Sequence, residues 1–445
     1  MLQHTDALEL LSPGQDGYHQ SATTPFAAGS PDLIARPRTA TDVAAALDRA
    51  RADGLTVAIR SGGHSMAGHS THAHGLVVDL RNINHVDVPD PAARLVHVGA
   101  GATWGAVART LHQHGLGVTA GDTNDVGVGG LTLGGGMGWM VRRYGLAIDS
   151  VVGADVVTAD GTLLHADDEH DPELFWALRG GGGNFGVVVG LDFVAQPVTS
   201  VHYGTIRYEL RDVAQLLTGW RDLMRDADQN LTTMLTLTPP VFGQPGAAIL
   251  QCCYAYPDPN TADRALAPFR RLGTITHDDV RVLPYRDILQ DANLPPGMRF
   301  VVRNTLTPAL SDELIDAVAA ETAAQRTMLT LRSLGGAMAD VPADATAFAH
   351  RDAEAMLVAL TPLPADARAE QVDEALARWA PIAAHGTGVY VNFLSSDSPA
   401  DTAKAYPDAT YRRLVAVKRR YDPDNVFHRN HNIAPNRGRG GAGLL

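Results

Sequence analysis

Cysteine is nearly absent from this 445-residue chain: Cys252 and Cys253 stand side by side in the apolar run Ala247–Tyr256 and are the only two. Neighbouring cysteines seldom reach the geometry of an unstrained bridge, so a disulfide framework is excluded. The pair is expected as reduced thiols on opposite faces of a strand. Lysine is as scarce. Lys404 and Lys418 are the only two, so nearly all of the 36 basic residues are arginines, and 49 Asp and Glu outweigh them to give a formal charge of −13. A nucleic-acid or anionic-membrane surface needs clustered basic residues to neutralise phosphates, and this balance argues against both. The arginine bias with abundant Ala points to a genome of high GC content, hence a bacterial source. No run of eighteen apolar residues occurs, and Met1–Glu9 lacks a basic region followed by an apolar one, so the expectation is a soluble cytoplasmic protein. The length suggests two or three domains.

Glycine is what the chain has in quantity, 44 residues, and three clusters stand out. The first is Arg60-Ser61-Gly62-Gly63-His64-Ser65-Met66-Ala67-Gly68, set between a strand-like run at Thr56–Ile59 and another at Leu76–Leu80. Paired glycines there remove the Cβ atoms that hold a ligand off the backbone, so N–H groups can face an anion such as a pyrophosphate, with His64 at the mouth. The second runs from Gly127 through Gly129, Gly130, Gly134 and Gly138 to Trp139. Each internal glycine costs about 1 kcal/mol relative to alanine, so neither a stable strand nor a helix is expected through its middle. Surface turns would carry Asn, Asp or Ser rather than Leu131, Leu133 and Met137, which favours close approach to a ligand. The third, Gly181, Gly183 and Gly186, has the spacing of a dinucleotide fingerprint, but that fingerprint needs a helix at its third glycine. Val187–Val194 is β-rich instead.

In chain order, residues 1–31 read as a flexible arm or a short packing helix. Thr41 is a candidate N-cap for a helix carrying Val43, Ala46, Leu47 and Ala50, and Thr103 for one carrying Trp104, Val107, Ala108 and Leu111. These two α/β units flank the His64 loop within residues 32–199. From 200 to 388 the glycine clusters disappear. Strand-like runs at Leu231–Leu237, Ala247–Tyr256 and Leu331–Gly335 alternate with helices, one after Ser311 with Leu314, Ile315 and Val318, another with Val372, Ala375, Leu376 and Trp379 on one face. In the last part, residues 389–445, Tyr411, Leu414 and Val415 make a helix stripe that Asp422-Pro423 stops.

The three glycine clusters, together with Tyr390-Val-Asn392-Phe393 and Asn430-His-Asn432-Ile, resemble the vanillyl-alcohol oxidase (PCMH) type of flavoprotein, in its berberine bridge branch. The resemblance implies an α+β fold: a discontinuous FAD-binding domain, 32–199 completed by 389–445, and a substrate domain, 200–388, whose antiparallel sheet is flanked by helices. It implies FAD carried on His64 through the flavin's 8α carbon. Arg60, Ser61, Gly62, Gly63, Ser65, Gly68, His69, Gly121, Thr123, Gly127, Gly129, Gly130, Gly134, Gly138, Asn184, Gly186, Val188, Asn430 and Asn432 would surround that cofactor. Members with a second link use a cysteine in the stretch matching Gly121-Asp122-Thr123-Asn124. None is present here, so a single covalent link is implied. The family's active-site tyrosine corresponds to Tyr390, beside Asn392. As a base it needs a positive charge or hydrogen-bond donor nearby, because a phenol ordinarily titrates near pH 10. The implied reaction is oxidation of a hydroxyl or activated C–H on a small or medium organic molecule, with dioxygen as acceptor giving hydrogen peroxide; the alternative is a dehydrogenase or an oxidative cyclase of secondary metabolism using another acceptor.

Two other chemistries fit less well. His64, His69, His72 and His74 sit in a glycine-rich setting with no rigid element to hold a metal, so none is expected. Gly63-His-Ser65-Met-Ala67 falls one residue short of the hydrolase nucleophile elbow and leads to a strand rather than a helix. A flavoprotein that merely binds a metabolite stays open, and Arg207, Tyr254, Arg303 and Arg332 are each candidates for the pocket or for solvent.

Overall fold

In the computed structural model, residues 8–240, 246–291, 297–324 and 326–435 are described. Residues 1–7 of the expected arm and 436–445 of the expected C-terminal segment lie outside them. The described residues build three sheets and surrounding helices. A four-stranded sheet runs in the order Glu9–Leu11, Leu33–Arg36, Leu76–Asp79, Val57–Arg60; the first pair is antiparallel and the others parallel. An antiparallel five-stranded sheet has the order Val86–Asp90, Leu95–Gly99, Val187–Val194, Val151–Val157, Leu163–Ala166. The largest is an antiparallel eight-stranded sheet from residues 200–364, in which Ser200–Glu209, Ala247–Tyr254, Leu231–Thr238, Met328–Ser333, Ala355–Pro364 and Met298–Thr307 are successive neighbours.

The two smaller sheets share one apolar core, and the end of the chain belongs to it. Leu414, Val415, Val417 and Tyr421 from helix Asp408–Tyr421, with Phe427 and Ile433, pack in the same cluster as Val78, Val98, Trp104 and Phe193. The eight-stranded sheet buries one face under helices Val213–Arg225, Pro259–Leu266, Asp312–Ala323 and Ala369–Ala383. Its other face meets Trp139 and Met140 through Tyr203 and Cys253. Cys252 lies in the helix-covered core and Cys253 in the other, so the neighbouring thiols do face opposite ways and both are free.

Four expectations need correction. Of the two readings of residues 8–31 the short packing helix holds, as Tyr18–Ala22, and the flexible arm does not: Glu9–Leu11 pairs with Leu33–Arg36, and Arg36 ties them together by bonding Glu9, the Gly17 carbonyl and Ser21. The first long helix, Ala40–Asp53, is capped by Thr39 rather than Thr41, because only Thr39 makes a reciprocal capping box with Asp42. In the second glycine cluster Val128–Leu133 is a short helix. It tolerates its glycines because Val128 and Gly129 N–H donate to the Ala102 and Ala100 carbonyls, and a Cβ on Gly129 would stand 3.1 Å from that Ala100 oxygen. Leu376 is exposed, and Ile382 takes its place in the buried stripe with Ala375 and Trp379.

Candidate active site

The His64 loop connects two adjacent parallel strands, so its backbone leaves the sheet at the carboxyl end of Val57–Arg60 and returns at the amino end of Leu76–Asp79. Its seat is set by contact of backbone with backbone. A Cβ on Gly62 would stand 2.3 Å from the Gly127 nitrogen, and one on Gly127 would stand 2.1 Å from the Gly62 nitrogen. Only glycine at both positions lets the two loops meet. Ser61 adds a 2.6 Å hydrogen bond to the Ala100 carbonyl.

Above this seat lies a cavity of about 450 Å³, within the usual range of small-molecule sites. All but four of the residues picked from the sequence line it. Ser61, Gly62, Gly63, His64, Ser65 and His69 come from the first loop, Gly121, Thr123, Gly127, Gly129, Gly130 and Gly134 from the second region. Asn184, Gly186 and Val188 line it from the third, and Tyr390, Asn392 and Asn430 from the C-terminal segment. Gly130 and Gly183 face it with nothing within 4 Å of where a Cβ would be, a cradle that side chains would fill.

The four outside it have other work. Arg60 turns under the loop, where its guanidinium donates to the Ser21 and Thr23 carbonyls at 2.9 and 2.7 Å and faces the Asp79 carboxylate at 3.8 Å. Gly68 closes a turn on Ser65 at a φ of 74°. Gly138 is forced by packing, since a Cβ there would fall 1.2 Å from the Ala120 oxygen. Asn432 is not in the lining, although its Oδ1 is buried without a partner among the described residues. Of the arginine and tyrosine candidates, Arg207 is exposed, Tyr254 donates to Asp228 and Arg303 is paired with Asp401. Arg332 alone reaches the site: it is buried, pairs with Asp122 of the cavity wall and lies over the Trp139 ring. Ser65 merely accepts from the His69 N–H, with no helix following it, so nothing resembling a nucleophile elbow forms.

Sequence reasoning missed Asp125, whose Oδ2 lies 3.3 Å from His64 Nε2. It also missed Arg429 and His431, which line the cavity. Their signal was the polar run Phe427–Asn432, read only for its asparagines. Burial, opposed by Asp125, lowers the His64 pKa, so its imidazole is neutral at pH 7. His69 packs edge-on to His431 at 5.2 Å, and His69 Nε2, His431 Nδ1 and Asn430 Oδ1 are all buried without a partner among the described residues. Three orphaned polar atoms around one cavity mark groups that await a ligand.

Tyr390 is buried at the other part of the wall. Its oxygen accepts from the Gly136 N–H at 3.0 Å and from Asn392 Nδ2 at 2.9 Å. Both of these bonds are accepted ones, which leaves the phenolic proton for a partner in the cavity. Burial raises its pKa, against the Gly136, Asn392 and Met137 donors and the more distant Arg332 charge.

Burial pushes His69 down to about 3, with His431 and Arg429 adding to it. Because the folded value lies below the unfolded one near 6.5, the unfolded chain binds more protons between them. Stability is therefore full above pH 6.5 and falls as pH drops through that window, by up to about 1.4 kcal/mol per pH unit for this group. Melting temperatures from pH 8 to pH 5 should decline accordingly, and His69→Leu should flatten the slope; equal slopes would show that His69 is solvated.

Residues 31–167 match the family described as FAD binding domain, and residues 389–434 match that described as berberine and berberine like. (R)-6-hydroxynicotine oxidase of Paenarthrobacter nicotinovorans is 30% identical over 91% of this chain and 91% of its own length. The crystal structure of 6-hydroxy-D-nicotine oxidase from Arthrobacter nicotinovorans superposes with a TM-score of 0.86 at 28% identity, covering 96% of this chain and 98% of that one. A glucooligosaccharide oxidase from Acremonium strictum, described with 6-S-cysteinyl, 8α-N1-histidyl FAD, shares the fold at a TM-score of 0.84 and 23% identity, over 96% and 97% of the two chains.

Proposed function

From the fact that this chain belongs to the FAD-linked oxidoreductases with a berberine-like C-terminal segment, we propose that it is an oxidase carrying FAD on His64 by a single covalent bond. The observation that carries the reading is the glycine-lined cavity with neutral His64 at its wall and three orphaned polar atoms around it. FAD supplies a two-electron acceptor that no side chain offers. Gly62, Gly63, Gly127 and Gly130 would present side-chain-free backbone to its anionic centre, while Ser61 and Gly129, both bonded to the Ala100 carbonyl, fix the wall behind them. Asn184, Gly186, Val188 and Asn430, which line the same cavity, would complete its seat. Residues 32–199 with 389–435 make the cofactor module, joined by one core, and 200–388 the substrate module.

The substrate is a small or medium organic molecule with a hydroxyl or an activated C–H. Tyr390 takes its proton, with Asn392 and Gly136 orienting the phenol oxygen. Trp139, Arg332 and Asp122 close the adjoining wall against the eight-stranded sheet.

The test is a panel of alcohols and amines added without air to the purified yellow protein. A substrate should bleach the flavin absorbance, and admitting air should restore it with one hydrogen peroxide per substrate oxidised. Bleaching reversed by a quinone but not by air would make the protein a dehydrogenase.

A further inference from the structure

Resting on the reading that His64 carries FAD, we propose that Asp125 is the positioning residue for that attachment, holding the proton on Nε2 so that the bond forms through Nδ1. The Asp125 carboxylate lies 3.3 Å from Nε2. It is half exposed while the imidazole is 13% exposed, so one side of the ring meets a solvated acceptor and the rest is enclosed. Neutral imidazole has one N–H and one lone pair, and the acceptor beside one nitrogen decides which is which. With the proton directed to Asp125, the nucleophilic lone pair is the one on Nδ1.

The scaffold keeps this pairing in register. Asp125 precedes Gly127 by two residues, and Gly127 meets Gly62 through backbone, as above. A Cβ on Gly62 would also stand 3.0 Å from the Asp125 carbonyl oxygen. The Trp104 N–H donates to the Val126 carbonyl at 3.0 Å, and the Val128 N–H to that of Ala102 at 2.9 Å. The carboxylate thus sits just before a segment that is hydrogen-bonded to Ala102–Trp104 and pressed through Gly127 against the loop that bears His64. Asp125 and Arg60 are the charged groups that bear on the imidazole, and Arg60 is turned away to Ser21, Thr23 and Asp79.

The chemistry closes without further groups. A bond forms between Nδ1 and the flavin's 8α carbon, and one C–H bond of that methyl group breaks. The methyl proton and the Nε2 proton, the latter leaving through Asp125, and the two electrons of the C–H bond all end on the ring, which is thereby reduced. A two-electron acceptor, dioxygen in the reading above, then reoxidises it and is itself reduced to hydrogen peroxide. Asp125 accepts a proton in this sequence and touches neither the flavin nor a substrate.

The experiment compares wild type, Asp125→Asn and Asp125→Ala harvested at the same time. It measures flavin absorbance in native protein, the fraction bound to polypeptide after acid precipitation, and the nitrogen alkylated in the isolated flavopeptide. Both variants are expected to keep native absorbance while attachment slows by about a hundredfold, the usual loss for a proton acceptor. Wild-type linkage is expected at Nδ1. A wild-type covalent fraction in Asp125→Ala, a wild-type linkage at Nε2, or variants that bind no flavin at all would each overturn the assignment. Wild type with only releasable flavin would instead sink the reading on which it rests. Asp125→Asn, which preserves shape, guards against a mere folding defect.

Discussion

Tyr390→Phe should slow flavin reduction by about a hundredfold or more, the usual worth of a general base, while the flavin stays in place. The side chain is buried, so removing one oxygen leaves the ring contacts with Phe348 and Phe393 intact. What is lost is the oxygen that accepts from Gly136 and Asn392 and keeps its own proton free for the cavity. The raised pKa of this phenol gives the prediction a second edge. At neutral pH only a small fraction is phenolate, so wild-type kcat/KM should climb steadily from neutral into alkaline pH, and Tyr390→Phe should abolish the climb. A flat wild-type profile with an unchanged variant rate would remove Tyr390 from proton transfer. Asn392→Ala should move the climb to higher pH by taking away one donor to the oxygen.

Lys418→Met should destabilise the fold by about 3–5 kcal/mol, the range found when one partner of a buried ion pair is removed. One of only two lysines, it is fully buried and makes three bonds: to Asp422 at 2.6 Å, to the Phe427 carbonyl at 2.9 Å and to the Asn184 carbonyl at 2.7 Å. Asp422 in turn accepts from Val426 and Phe427 N–H, so removing the ammonium strands a buried carboxylate. The same ammonium joins two pieces of the cavity wall, Asn184 and the segment 427–431. Asn184 itself bonds His431 and Ile433 through its amide. Denaturant midpoints read the loss, and the double variant Lys418→Met with Asp422→Leu should recover part of it. A midpoint shift below about 1 kcal/mol would mean that water reaches the ammonium.

Much of the cavity wall was legible because its requirements are written in residue type. Close approach needs glycine, and glycine pairs such as Gly62 and Gly63 stand out in any chain. The helices were legible where a cap and an apolar stripe coincided, as at Thr103 and Ser311. Other features depend on distance rather than type. Gly138 looks like a ligand-facing glycine and is in fact pressed against Ala120, because a sequence does not say which backbone comes near. Arg60 belongs to the loop by order but points beneath it, since the nearest carboxylate and free carbonyls lie there. Asp125 went unnoticed because sixty residues lie between it and His64 and nothing local marks it. Strand Glu9–Leu11 is three residues long, too short for alternation to show, and only its pairing with Leu33–Arg36 defines it.

The bond between His64 and the flavin is tested most directly by acid-precipitating the purified protein beside its His64→Ala variant. Wild type is expected to give a yellow pellet and colourless supernatant, and the variant a colourless pellet with any flavin in solution. Flavin washing out of the wild-type pellet, or staying in that of the variant, would contradict it.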